Sequence, residues 1–257
     1  MLKLKNLRAG YGRRTVLNGI STCFKAGKLI SIIGPNGCGK STLLKAILGI
    51  LPHTGGTVLL NGTDLGGMRQ SEVAKRLAYL PQEKSTPQMT VEQTVLHGRF
   101  PHLRYPRIYT DRDRDIANTA MEKMGIAELS EHPLSALSGG IRQATYIAMA
   151  LAQDTSYILL DEPTTHLDIA HQLETVKLLR RLADEGKGIV AVMHDLPLAL
   201  TFSDEIAVMR EGKLILQAPP KQVYQSGVLE NLFDIPIRLS DDGNYAYGYN
   251  EYRLPLR

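Results

Sequence analysis

Residues 28–41 have the sequence KLISIIGPNGCGKS. Residues 28–33 are apolar enough to form a strand that is buried on both faces, as in a parallel sheet. Residues 34–41 match the phosphate-binding pattern G-x-x-x-x-G-K-[ST], in which glycines let backbone N–H groups close around phosphates. A helix that begins at such a loop adds positive potential at its N-terminus. The stretch therefore predicts a strand, a phosphate loop and a helix, with Lys40 on the β- and γ-phosphates and the Ser41 hydroxyl on Mg²⁺.

A second apolar run, residues 158–160, ends in the acidic pair Asp161 and Glu162. The carboxyl ends of strands are where α/β sheets bind ligands. Asp161 suits the coordination shell of Mg²⁺, and Glu162 is placed to orient or deprotonate an attacking water. Apolar strands followed by two acids are common, so this interpretation depends on the phosphate loop.

A third motif, residues 137–140, has the sequence LSGG and precedes a helical pattern. Ser-Gly-Gly at the start of a helix is a second place where an anion can bind, although the phosphate loop already accounts for one nucleotide. Ser138 could equally be a simple N-cap of the helix.

These three motifs together resemble the nucleotide-binding subunits of ABC transporters, over roughly residues 2–235. The resemblance implies an α/β fold: a P-loop NTPase core with an antiparallel β layer and an inserted helical subdomain. It implies ATP and Mg²⁺ as cofactors, and hydrolysis of ATP coupled to transport through a separate permease. It also implies a head-to-tail homodimer in which Ser138 of one subunit completes the ATP site of the other.

The resemblance assigns four further roles. Tyr11 is similar to the aromatic residue that stacks on adenine, although a single tyrosine is usually surface. Gln82 resembles the glutamine that contacts Mg²⁺ or water and signals to the permease. Asp168 resembles an aspartate that acts across the dimer and could also cap a helix. His194 resembles the histidine that binds the γ-phosphate; without the resemblance it would be interpreted as a core histidine.

The predicted site residues fall into three sets. The predicted catalytic residues are Lys40, Gln82, Glu162 and His194. The predicted nucleotide-binding residues are Tyr11, Gly34, Pro35, Asn36, Gly37, Cys38, Gly39, Lys40, Ser41, Thr42, Ser138, Gly139, Gly140 and Asp168. The predicted metal ligands are Ser41, Gln82 and Asp161.

Hydrophobic patterning extends the expected fold beyond these motifs. Alternation predicts antiparallel strands at residues 2–7, 15–24 and 57–65, with a turn at Asn61-Gly62. Buried strands are predicted at residues 157–160 and 188–193, separated by a helix that Asp168 caps. The apolar face of that helix is predicted to contain Ile169, Leu173, Val176 and Leu179.

Residues 71–153 have a mostly helical pattern, apart from a short strand at residues 77–80. Thr90 and Gln93 predict a capping box, and Asp111 is expected to cap a helix that ends at Gly125. The expected organisation is an ATPase domain at residues 1–235, a helical subdomain at about 84–153, and a C-terminal tail at 236–257. The tail is rich in tyrosine, at positions 245, 247, 249 and 252, and carries no functional prediction.

Composition narrows the class of protein. The net charge of +4 falls short of a nucleic-acid-binding signature, so no nucleic-acid partner is expected. Two cysteines, Cys23 and Cys38, are too few for a disulfide framework. The apolar runs are too short to cross a bilayer, and the N-terminus does not resemble a leader. The expected location is the cytoplasm, at the inner face of the cell membrane.

Residues 165–172 (THLDIAHQ), 194–196 (HDL) and 227–236 (GVLENLFDIP) resemble ATPases of importers for ferric siderophores, haem and cobalamin. That resemblance implies a substrate-binding protein acting through the permease, and leaves the cargo open. The alternative is an ABC ATPase without transport. DNA-repair and translation ATPases are disfavoured because no long coiled coil or second cassette is present, but an iron–sulfur assembly ATPase stays open. A P-loop kinase is disfavoured by the LSGG motif.

Two local features complete the expectations. Ile141 follows LSGG where the family usually has glutamine, and Ala144 and Met149 replace family arginines. A basic cluster, Arg99, His102, Arg104 and Arg107, follows Gln82 in the helical insertion. The resemblance places a socket for the permease there, and a solvated basic loop is the alternative.

Overall fold

The computed structural model describes residues 1–82, 87–241 and 243–248. The strands are β1 (Leu2–Tyr11), β2 (Arg14–Phe24), β3 (Leu29–Ile33), β4 (His53–Leu60), β5 (Thr63–Asp64), β6 (Leu77–Leu80), β7 (Tyr157–Asp161), β8 (Gly188–Val192), β9 (Glu205–Arg210), β10 (Lys213–Ala218), β11 (Ile237–Leu239) and β12 (Tyr245–Tyr247). The helices are α1 (Lys40–Ile47), α2 (Gln70–Ala74), α3 (Val91–Leu96), α4 (Asp111–Lys123), α5 (Gly139–Ala152), α6 (Ile169–Asp184), α7 (Leu196–Phe202), α8 (Pro220–Gln225) and α9 (Val228–Phe233).

The strands form two large sheets and one hairpin. The six-stranded sheet has the order β10-β9-β3-β8-β7-β6, and its neighbours are parallel except for the β9–β10 pair. Every residue of β3, β7 and β8 is buried, as expected for strands covered on both faces. The second sheet, β2-β1-β4-β5, is antiparallel. The α/β fold class with an antiparallel layer is therefore confirmed.

The predicted strand at residues 57–65 was wrong in its bounds. β4 begins earlier, at His53, and ends at Leu60, and the chain resumes as the short β5. Asn61 and Gly62 both have positive φ, at 50° and 84°, which is the backbone geometry of a tight two-residue hairpin turn. The turn signal was therefore correct, and it interrupts the strand that the hydrophobic pattern had joined.

Helices α3, α4 and α5 lie in sequence between β6 and β7 and pack on one another. The capping box of Thr90 and Gln93 at the start of α3 is confirmed. The cap predicted for α4 was wrong, because Thr110, not Asp111, is the N-cap. The Thr110 hydroxyl accepts from the Asp113 N–H, and the Asp113 carboxylate accepts from the Thr110 N–H. A threonine followed three residues later by an acid forms this reciprocal pair, which is why the cap lies one residue earlier.

Helix α6 connects the neighbouring strands β7 and β8, and Asp168 is its N-cap as predicted. Val176 and Leu179 are buried against the sheet. Ile169, expected on the same face, is 85% exposed, because the buried face of the helix begins only at Thr175, in its second turn. Among the described residues, no helix is both long and apolar enough to cross a membrane.

The chain after β10 forms α8, α9 and the hairpin β11–β12, which packs on α7. Of the four tail tyrosines, Tyr245 and Tyr247 lie in β12, and Tyr249 and Tyr252 lie outside the described residues.

Candidate active site

The phosphate loop connects the buried strand β3 to the N-terminus of α1. Gly34 passes so close to the neighbouring strand that a Cβ there would lie 2.2 Å from the Met209 carbonyl oxygen. Gly37 and Gly39 have φ of 76° and 106°, a region that favours glycine. The loop therefore needs glycine at these positions to follow its tight path between β3 and α1.

Lys40 is the first residue of α1 and is 6% exposed. Its Nζ donates to the carbonyl oxygens of Gly34 (2.7 Å) and Pro35 (3.1 Å), which holds the ammonium inside the curve of the loop. A fixed cation beside a glycine-rich loop and a helix N-terminus is suited to bind the phosphates of a nucleotide.

Asp161 ends β7 and faces the loop. Its Oδ1 accepts from the Ser41 hydroxyl (3.0 Å) and its Oδ2 from the Tyr79 hydroxyl (3.4 Å). Burial is the main cause that raises the pKa of Asp161, with the Ser41 hydrogen bond opposing it. Burial and then the Asp161 charge also raise the pKa of Tyr79. Sequence reasoning missed Tyr79, whose position on β6 beside β7 follows only from the strand pairing.

Glu162 is held by three side chains from three different segments. Its Oε1 lies 2.6 Å from His194 Nε2, and its Oε2 accepts from Gln82 Nε2 (2.7 Å) and from the Thr165 hydroxyl (3.1 Å). Glu162 has a φ of 53°, unusual for a residue with a side chain, and its side chain is 13% exposed. His194 is 43% exposed, so it is not the core histidine of the alternative interpretation. The structure thus brings three of the predicted catalytic residues into one hydrogen-bonded group.

A cavity of about 660 Å³ joins the phosphate loop to this group. Tyr11, half exposed, lies at its rim, where an aromatic ring could stack on a base. Arg14 and Val16 also line it, although sequence reasoning did not single them out, because no motif marks β2. The predicted site residues that line the cavity are Tyr11, Asn36, Gly37, Gly39, Lys40, Ser41, Thr42, Gln82, Glu162 and His194. Gly34, Pro35, Cys38 and Asp161 support it from the loop and from β7.

The remaining predicted residues lie elsewhere. Ser138 caps α5 by accepting from the Ile141 N–H (3.4 Å), and Ser138 and Gly139 are exposed. A Cβ on Gly140 would lie 2.3 Å from the His171 ring, and His171 Nδ1 lies 2.8 Å from Asp168. The hydrogen bond from the His171 backbone N–H is the main cause that lowers the pKa of Asp168, and the His171 side chain lowers it further. Neither the LSGG glycines nor Asp168 lines the phosphate cavity of its own chain.

The expectation of an exposed basic cluster was wrong for Arg99, and a permease contact of the other members stays a prediction. Arg99 is 6% exposed, and its guanidinium donates to Asp113 Oδ1 (2.9 Å) and to the Ala152 carbonyl oxygen (2.9 Å). His102 bonds the Gln153 carbonyl oxygen (2.9 Å). Only Arg104 and Arg107 of the cluster are exposed. Arg99 is a buried ion-pair partner that connects α4 and α5, not a surface charge.

Comparison with known proteins adds the family context. A sequence profile described as ABC transporter matches residues 17–165. The chain is 42% identical over 243 residues to the iron(3+)-hydroxamate import ATP-binding protein FhuC of Bacillus subtilis (strain 168), which covers 94% of this chain and 90% of that protein. It is 37% identical over 243 residues to the ferric enterobactin transport ATP-binding protein FepC of Escherichia coli (strain K12), covering 94% and 90%.

A solved structure is also similar over most of its length. It is the dimeric structure of an ATP-binding cassette in a post-hydrolysis state, bound to ADP and Pi. The TM-score is 0.73 at 27% identity, and the alignment covers 86% of this chain and 99% of that one.

Proposed function

Because this chain belongs to the ABC transporter family of ATP-binding subunits, we propose that it hydrolyses ATP to drive an importer of an iron chelate. The observation that carries the proposal is the position of Glu162, held at the mouth of the phosphate cavity by Gln82, Thr165 and His194. A fixed carboxylate beside a phosphate loop is the arrangement needed to activate water against a γ-phosphate.

Each residue of the group has a defined part in hydrolysis. Glu162 accepts a proton from the attacking water as the oxygen bonds to the γ-phosphorus, and the bond to the β-phosphate oxygen breaks, giving ADP and phosphate. Lys40 stabilises the negative charge on the transferring phosphoryl group. His194 Nε2 lies 2.6 Å from Glu162 Oε1, and when nucleotide is bound its N–H would turn to donate to a γ-phosphate oxygen, while Gln82 orients the water.

The residues also fit a magnesium ion. Ser41 Oγ and Asp161 Oδ1 lie 3.0 Å apart beside the phosphate loop, so two oxygen donors converge where nucleotide phosphates would supply further oxygens. We assign Ser41, Asp161 and Gln82 to this site. When bound, Mg²⁺ would partly neutralise the negative charge of the nucleotide phosphates.

We further propose that the working unit is a head-to-tail homodimer. In one chain, Ser138, Gly139, Gly140 and Asp168 lie away from the phosphate cavity, although Ser138 and Gly139 form an exposed helix N-terminus suited to an anion. Placing that surface over the phosphate loop of a second copy would complete both sites. The dimeric arrangement of the similar solved cassette supports this proposal.

The remaining partners follow from the relatives. FhuC and FepC are named as import or transport ATP-binding proteins for iron(3+)-hydroxamate and ferric enterobactin. We propose that this chain serves a comparable cargo, a ferric siderophore, haem or cobalamin, with a membrane permease and a substrate-binding protein acting through it. We propose that it works at the cytoplasmic face of the membrane. We also propose an ATPase domain at residues 1–235, with a helical subdomain at about 84–153, and a tail at 236–257.

The permease contact is proposed on the exposed segment that remains after Arg99 is excluded. Tyr105 and Ile108 are 97% and 70% exposed, and Arg107 lies over the Phe100 ring at 4.4 Å. Large apolar side chains beside a cation are typical of a protein contact surface.

The test is reconstitution of the chain in lipid vesicles with the permease and substrate-binding protein of a siderophore importer from the same organism. We expect uptake of a ferric siderophore to require ATP, and the Glu162→Gln chain to form the same complex without uptake. Parallel uptake assays with haem and with cobalamin identify which cargo is transported. Co-purification with a soluble iron–sulfur scaffold, and failure to bind the permease, would instead support the assembly ATPase and refute the importer.

A further inference from the structure

The C-terminal hairpin contacts the segment that carries the active-site histidine. The Tyr247 hydroxyl on β12 accepts a hydrogen bond from the Leu196 N–H at 3.1 Å. Leu196 is the first residue of α7 and lies two positions after His194. The tyrosine-rich tail, which the motifs left without a role, thus reaches a backbone group close to the catalytic centre.

The Leu196 N–H needs such a partner. Leu196 is 2% exposed, and the first N–H groups of a helix have no acceptor within the helix. The Asp195 carboxylate is already engaged in capping α7 through the Leu198 N–H at 2.7 Å. The tyrosine hydroxyl therefore satisfies a group that Asp195 does not, and a buried donor left without an acceptor is costly.

His194 depends on this backbone for its position. Its side chain is 43% exposed, so packing restrains it little, yet its Nε2 lies 2.6 Å from Glu162. On the N-terminal side, the Met193 N–H is anchored on the Ile32 carbonyl oxygen (3.1 Å) beside the phosphate loop. On the C-terminal side, the anchor at Leu196 is Tyr247. The backbone on either side of His194 is thus held by a hydrogen bond, to Ile32 on β3 and to Tyr247 on the hairpin.

The hairpin that carries Tyr247 is itself held in place by contacts with the preceding helices. Ile237 is 4% exposed, and its N–H donates to Glu230 Oε1 at 2.9 Å. The Tyr245 ring packs edge-on against Tyr224, with centroids 5.3 Å apart. Contacts from α8 and α9 therefore fix the strand on which Tyr247 stands.

We propose that Tyr247 is a positioning residue for ATP hydrolysis, which holds the start of α7 so that His194 stays in register with Glu162 and the γ-phosphate. The inference rests on the proposed roles of His194 and Glu162. It requires no contact between Tyr247 and the nucleotide, and its effect is on turnover rather than on nucleotide affinity. The remote hairpin thus becomes part of the hydrolytic machinery.

The test compares Tyr247→Phe with Tyr245→Phe in the full chain. Both changes remove one hydroxyl from the same short strand and keep the ring. Steady-state ATPase measurements should show kcat reduced about 3- to 10-fold in Tyr247→Phe, as expected for loss of one hydrogen bond, with KM within about two-fold. Tyr245→Phe should match the wild type in both constants. Hydrogen–deuterium exchange of a peptide covering residues 193–200 should be faster in Tyr247→Phe alone.

A double mutant separates positioning from general loss of stability. In the His194→Ala background, Tyr247→Phe should cause little further loss, because the residue that it positions is gone. The inference is overturned by a Tyr247→Phe kcat within the error of wild type, by an equal loss in Tyr245→Phe, or by fully multiplicative losses in the double mutant. Wild-type turnover in His194→Ala alone would instead refute the proposed role of His194.

Discussion

Replacing Arg99 by alanine should destabilise the protein strongly, although the residue lies in a segment that looks like a basic surface loop. Its guanidinium bonds both Asp113 on α4 and the last carbonyl of α5, each at 2.9 Å. The side chains of Arg99 and Asp113 are only 8% and 10% exposed. Removing the arginine would leave a buried carboxylate without its cation and the Ala152 carbonyl without its donor.

The magnitude follows from this geometry. Breaking a buried ion pair by removing one partner costs about 3–5 kcal/mol. Asp113 keeps its bonds from Thr110, so we expect the lower end, about 3 kcal/mol. For a chain of this length, that corresponds to a fall in Tm of roughly 6–12 °C.

The pair also has a defined pH dependence. Burial raises the pKa of Asp113, but hydrogen bonds from Thr110 and then Arg99 outweigh it and bring the pKa to about 2. The folded pKa is below the ordinary value, so this stabilisation is present above about pH 4 and is lost as the pH falls through about 2. In Arg99→Ala the pKa of Asp113 should rise, and acid unfolding should begin at a higher pH.

The assay is thermal unfolding followed by circular dichroism at neutral pH, with Arg104→Ala as the matched control. Arg104 is exposed and lies in the same segment, so its loss should change the unfolding free energy by no more than about 0.5 kcal/mol. Equal Tm values for the two variants would refute the assignment of Arg99 as a buried ion-pair partner that stabilises the fold.

Three further predictions concern the active site. Lys40→Ala should abolish ATP hydrolysis and weaken nucleotide binding in a fluorescence titration, because the cation at the phosphates is lost; wild-type turnover would contradict the site. Glu162→Gln should bind ATP but hydrolyse it at least about 100-fold more slowly, so size-exclusion chromatography with ATP and Mg²⁺ should reveal a dimer, and a strictly monomeric variant would count against the shared site. Ile141→Gln should leave nucleotide affinity nearly unchanged and raise turnover at most a few-fold, since backbone N–H groups provide most of the anion binding; complete loss of ATPase activity would show otherwise.

The parts of the fold that could be predicted are those specified by local chemistry. The phosphate loop, the acidic end of β7 and the Asp168 cap each depend on neighbouring residues, so their patterns are visible in the sequence. The core strands could be predicted because a run buried on both faces has a distinctive composition.

The parts that could not be predicted depend on contacts between distant segments. Arg99 resembles its exposed neighbours in sequence, and only the packing of α4 and α5 makes it a buried ion-pair partner. Tyr79 and Arg14 reach the site through strand pairing, which no short pattern encodes. Ile169 continues the apolar period of α6, yet it stays exposed because the buried face of the helix begins only at Thr175.

Ser138, Gly139 and Gly140 do not line the phosphate cavity of their own chain, and the proposed head-to-tail dimer therefore has a kinetic consequence. If two copies share each site as proposed, hydrolysis in dilute solution is second order in the protein, so we expect activity per molecule to fall as the sample is diluted. A permease that holds two copies side by side replaces their bulk concentration with a much higher local one, on the order of millimolar for short tethers. Under the proposed dimer, we expect the unassembled chain to consume little ATP and hydrolysis to rise where the permease brings two copies together.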